Sequence, residues 1–90
     1  MLTPDEREIV TCQALNARAR LWLLYRYLDG DPISNREVCD LTGISRETDV
    51  PTYRKHLREA GALRDKWISD AGRRVRVYMA ITPTQKEEVE

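Results

Sequence analysis

The sequence predicts a mainly α domain closed by a C-terminal β-hairpin. Three observations carry that expectation. Thr3 with Glu6, and Ser34 with Glu37, are spaced as capping boxes that open helices. Leu21, Leu24, Tyr25 and Leu28 recur at i, i+3, i+4 and i+7, one apolar stripe at helical period. From Leu63 the period changes to two, and Val75, Val77, Met79 and Ile81 fall on one face of an alternating run. Ninety residues leave room for one domain. A chain this short buries only about 60–65% of its unfolded surface, so its core is modest and a partner subunit would help.

The first helix starts at Thr3-Pro4-Asp5-Glu6. Thr3 caps, Pro4 suits the first helical position, and two acids favour the helix dipole. It is expected to run to about Leu15, with Asn16 capping a second helix from Ala17. In that second helix Trp22 and Leu23 widen the apolar arc beyond one core-facing side, and the first helix or another subunit would cover the excess. Asp29-Gly30-Asp31-Pro32 ends it, because Gly30 accepts a left-handed conformation and Pro32 cannot continue a helix.

Ser34 opens a short third helix through about Leu41, with Val38 and Leu41 inward. Gly43 supplies the left-handed corner that follows, and Ile44 plugs it from inside. Asp49 or Thr48 can cap a fourth helix running from about Val50 to Ala60, with Pro51 in its first turn. Tyr53, Leu57 and Ala60 form its buried stripe, which turns Pro51, Lys55 and Arg58 outward, flanked by Thr52, Arg54 and Glu59. Gly61 ends that helix. Leu63 to Ser69 forms one strand, with Leu63 and Trp67 inward, and Arg74 to Thr82 the other. A short loop, Ser69 to Arg73, joins them. The domain therefore spans 1–82, and 83–90 is an acidic tail.

Charge is distributed unevenly. Fifteen basic side chains balance fifteen acidic ones. Residues 1–42 hold five basic and seven acidic side chains, residues 43–82 nine and five, and the tail one and three. The middle block is where a polyanion can dock. No apolar run approaches the roughly 18 residues that span a bilayer. The N-terminus lacks the basic-then-apolar order of a signal peptide. Cys12 and Cys39 are too few for a disulfide framework, and with His56 they cannot close a zinc site. These readings point to a cytoplasmic protein without metal or other cofactor. Enzymatic activity finds no support, since the chain has no Gly-rich phosphate loop, one histidine and no carboxylate pair in an evident cleft.

Three helices, a Gly corner, a fourth helix and a hairpin follow the order of a winged helix-turn-helix. A short helix and corner hold the fourth helix out from the body, its polar face directed at a major groove about 12 Å wide. Arg73, Arg74 and Arg76 project from the hairpin, where arginines suit phosphates and a narrow minor groove. The candidate DNA contacts are Arg46 and Thr48 before the fourth helix, Thr52, Arg54, Lys55 and Arg58 on it, and Arg73, Arg74 and Arg76 on the wing.

Three stretches resemble the ArsR-type family of DNA-binding proteins. Ala14 to Leu24 is similar to that family's signature, in which a short helix ends at Asn or Asp and an Arg-Leu pair opens the next. Arg36 to Ser45 resembles the helix and turn leading to the recognition helix. Leu57-Arg58-Glu59-Ala60-Gly61-Ala62-Leu63 is similar to the join between recognition helix and wing, which MarR-type proteins share. The resemblance covers about residues 9–82. It implies a homodimeric, sequence-specific repressor of transcription, often released by a ligand or metal. The chain departs from the family in two ways. Leu57 stands fourteen positions after Gly43, a longer turn than the family's, and no second cysteine stands two residues from Cys39.

Cys12 and Cys39 read as buried apolar thiols, and His56 as a packing or hydrogen-bonding residue beside the inward stripe. Trp22 and Trp67 read as core or dimer contacts. Double-stranded DNA is the expected partner, together with a second copy of the chain held through the N-terminal helices. Two other functions use the same fold: a protein-interaction module, and a plasmid or phage segregation or replication factor.

Overall fold

A computed structural model describes residues 2–82 of the chain; the acidic tail lies outside them. The order is α1 (Pro4–Val10), α2 (Ala17–Leu28), α3 (Asn35–Thr42), a single 3-10 turn (Glu47–Asp49), α4 (Val50–Glu59), β1 (Leu63–Asp70) and β2 (Arg73–Ala80). The described residues form four α-helices and one two-stranded antiparallel sheet.

Thr3, Asn16 and Ser34 each cap the helix that follows. Thr3 and Glu6 form a complete capping box, each side chain accepting from the other's backbone N–H. Asn16 accepts from the Ala19 N–H at 2.8 Å, and Ser34 from the Glu37 N–H at 3.2 Å. Gly43 ends α3 at φ 82, a conformation that disfavours any side chain.

The first helix stops at Val10, not near Leu15. Two competing bonds explain the early stop. The Thr11 hydroxyl donates back to the Arg7 carbonyl at 2.9 Å. The Val10 carbonyl, which a continuing helix would offer four residues on, accepts instead from Arg20 Nε at 2.8 Å. Arg20 is buried, and its Nη2 also donates to the Leu41 carbonyl at 3.2 Å. One guanidinium thus satisfies carbonyls at the C-terminal ends of two helices, where the dipole favours a cation.

The core is built around α2. Leu21, Leu24, Tyr25 and Leu28 are all buried, packed with Val10, Val38, Leu41, Ile44, Val50, Leu57 and Leu63. The excess apolar arc of α2 has a cover that the sequence did not indicate. Trp22 lies against the base of the hairpin, and its indole N–H donates to the carbonyls of Ala62 (2.9 Å) and Ile81 (3.3 Å).

Neither Thr48 nor Asp49 caps α4. Asp49 has helical backbone angles, and its carboxylate bonds Arg46 instead. The helix and the turn before it run together, which absorbs the extra residues after Gly43. Ala60 is exposed although its spacing placed it in the buried stripe, because α4 ends at Glu59 and the chain turns away. The hairpin turn is tighter than expected. Asp70 pairs with Arg73, and only Ala71 (φ 55) and Gly72 (φ 79) lie between them. Two positive φ values match the twist of a two-residue hairpin.

Candidate functional site

Antiparallel register sorts the hairpin into two faces. Leu63, Asp65, Trp67 and Ser69 share one with Arg74, Arg76, Tyr78 and Ala80. Arg64, Lys66, Ile68 and Asp70 share the other with Arg73, Val75, Val77 and Met79. The first face looks toward α4. Arg54 of α4 stacks on the Tyr78 ring with its Cζ 4.4 Å from the centroid, and Arg58 Nη1 lies 4.0 Å from the Asp65 carboxylate.

Four of the nine expected contact residues therefore gather on one surface: Arg54, Arg58, Arg74 and Arg76. The surface is cationic and aromatic by turns. Arg74 and Arg76 lie over the Trp67 ring at 5.0 and 5.9 Å, and Arg76 also approaches Tyr78 at 5.9 Å. Cation–π attraction holds such guanidiniums in place while leaving their outer N–H groups available.

Asp65 sits in the middle of this surface. It bonds Arg76 directly, and that hydrogen bond, with the Arg76 and Arg58 charges beside it, holds its carboxyl below the usual carboxylate range. Arg54 is fixed more firmly. Its Nη1 donates to Asn35 Oδ1 at 3.1 Å and to the Tyr25 hydroxyl at 3.3 Å. Burial pushes the Tyr25 phenol up, and the bond from Arg54 opposes that rise. Arg54 is thus as much a brace between α2, α3 and α4 as a surface cation.

The other five expected residues lie elsewhere. Thr52 and Lys55 are exposed on α4. Arg46 and Thr48 are exposed at the 3-10 turn, where Arg46 Nε pairs with Asp49 at 3.3 Å. Arg73 is exposed at the tip of the second hairpin face, which further down also carries Lys66 and Arg64, two cations not among the expected contacts.

Trp67 is the principal correction. It is not inward but 56% exposed, one of two large exposed apolar side chains among the described residues. Its neighbours along the same face, Asp65 and Ser69, are polar, and that alternation was the available signal. Cys12 is exposed and Cys39 half-buried, so Cys12 is not the apolar interior thiol expected. Burial pushes the Cys39 thiol up. His56 is exposed, with its Nδ1 3.5 Å from Arg18 Nη2, so it makes a hydrogen-bonding contact and does not pack beside the core. No three His, Cys, Asp or Glu side chains among the described residues are grouped to hold a metal. No helix among them is long and apolar enough to cross a membrane.

No family model matches this chain, and no curated protein or solved structure is significantly similar to it.

Proposed function

We propose that this chain is a winged helix-turn-helix protein that binds double-stranded DNA with sequence preference and acts as a homodimeric regulator of transcription of ArsR-like type. One observation carries the reading: Arg54 and Arg58 of α4 converge with Arg74 and Arg76 of the hairpin on one face, and α4 also carries exposed Thr52 and Lys55. In this reading α4 enters the major groove, where Thr52, Lys55 and Arg58 meet base edges, and the hairpin is a wing on the backbone. The protein is a binder and not an enzyme. The dimer is supported by apolar surface left over after folding. Ile9 is 42% exposed on α1, and a shallow groove is lined by half-buried Ala19, Trp22 and Leu23 together with exposed Asn16 and Arg18.

A protein-interaction reading has one observation in its favour, the Asp65 carboxylate in the centre of the basic face. Duplex selection from a random pool, followed by titration at several salt concentrations, separates the two. The DNA reading expects a preferred site and a log–log salt slope of about −3 to −5, from about 0.9 per phosphate neutralised. A slope near zero, or no binding at low salt, removes it. Light scattering of the free protein tests the dimer, and a monomer at micromolar concentration removes that part.

A further inference from the structure

We propose that Trp67 is a nucleic-acid contact: its indole packs on the deoxyribose edge of a DNA duplex while Arg74 and Arg76 hold the flanking phosphates. The proposal rests on the duplex-binding reading above and assigns a role to a residue that neither the core nor that reading uses.

Trp67 contributes little to the fold. More than half of its surface is open, and it stands in the outer half of the hairpin opposite Arg76. Exposing a side chain of this size to water is unfavourable, and a ligand that covers it recovers that free energy. The two arginines select the kind of ligand. Arg74 and Arg76 already lie over the ring at 5.0 and 5.9 Å, so an apolar plate is flanked by two cations. An apolar surface with a negative charge to either side complements that arrangement, and the sugar–phosphate strand has that repeat.

Position along the hairpin favours a duplex backbone over the floor of a groove. Trp67 lies three residues before Asp70, the last residue of β1, or about 10 Å at the strand rise of about 3.3 Å per residue. The turn Ala71-Gly72 and Arg73 project further and are the parts able to enter a minor groove about 6 Å wide. Arg54 and Arg58 connect the same face to α4. With α4 in the major groove and the hairpin tip at the minor groove, Trp67 meets the strand between them.

The test compares the parent, Trp67→Phe, Trp67→Ala and Arg74→Ala on the selected duplex and on its isolated single strand, at two salt concentrations. Tryptophan emission is recorded alongside affinity. The expected result is that duplex binding quenches the parent's emission and leaves that of Trp67→Phe nearly unchanged, since Trp22 is held at the hairpin base. Trp67→Ala is expected to weaken duplex binding about tenfold, the size of burying part of an exposed indole, with the salt slope unchanged because the lost contact is uncharged. Arg74→Ala is expected to lower the slope by about one. All variants keep the parent's circular dichroism and melting temperature, because Trp67 lies outside the core. If Trp67→Ala binds the duplex like the parent and emission does not respond, the proposal fails while the duplex-binding reading stands. If the single strand binds more tightly and Trp67→Ala abolishes that binding, the ligand is an unstacked base and the duplex assignment is overturned. If the parent binds no duplex at all, both readings fail together.

Discussion

Replacing Asp65 by Asn should strengthen DNA binding. The carboxylate stands within the basic face, bonded to Arg76 and 4.0 Å from Arg58. A phosphate gripped by Arg76 would lie about 6–7 Å from it, and at an effective dielectric of about 40–80 the repulsion is about 0.6–1.3 kcal/mol. Removing that charge is expected to tighten binding about 3- to 9-fold. If Arg58 or Arg76 then gains a phosphate, the salt slope steepens by about 0.9. Fluorescence anisotropy at several salt concentrations measures both quantities. The folded protein should respond in the opposite sense, because a side-chain pair is lost, though the effect is small for partners this exposed. The pH dependence has a definite sign. Asp65 has a depressed pKa in the folded chain, so its stabilising contribution is fully present above the unfolded value of about 3.9 and is lost as pH falls through the folded value. The stability gap between parent and variant should therefore be constant at neutral pH and close in acid. Unchanged or weaker binding by Asp65→Asn, with the parent's salt slope, would refute the placement of phosphate beside Arg76.

Three further outcomes are expected. Arg20→Met leaves the Val10 and Leu41 carbonyls without their buried donor and should cost about 2–4 kcal/mol, read by urea denaturation; a loss too small to measure would mean that water replaces the guanidinium. Ala71→Asn places a residue tolerant of left-handed φ before Gly72, where alanine sits at φ 55, and should stabilise by about 0.5–1 kcal/mol in thermal melts. Arg54→Ala should lower both stability and duplex affinity, because it cuts bonds to Tyr25 and Asn35, whereas Lys55→Ala should lower affinity alone; equal melting temperatures for the two would contradict the brace.

The element order was legible in the sequence because each boundary is a local event. Thr3, Asn16, Ser34, Gly43 and Gly61 cap or turn the chain through their own side chain, or its absence, and nearby backbone. The α2 stripe was equally legible, since burial on one helix face is written in a 3.6-residue period. The boundaries moved where a second group competed for a local bond. The end of α1 depends on Arg20, ten residues from Val10, and Asp49 bonds Arg46, three residues before it, in place of capping α4.

The candidate site divides along the same line. Residue type alone named the arginines of α4 and of the hairpin, because phosphate recognition needs cations and the middle block is rich in them. Only the tertiary structure decided which of them converge. Strand register puts Arg74 and Arg76 on the face toward α4 and Arg73 on the other. Packing of that face against α2 and α4 turns Arg54 inward onto Tyr78 and Tyr25, brings Asp65 among the cations, and leaves Trp67 outside. A period-two pattern says that neighbours alternate, but a two-stranded sheet has two open faces. Which residues of each face meet the helices, Tyr78 on one and Val77 on the other, depends on contacts between residues far apart in the chain.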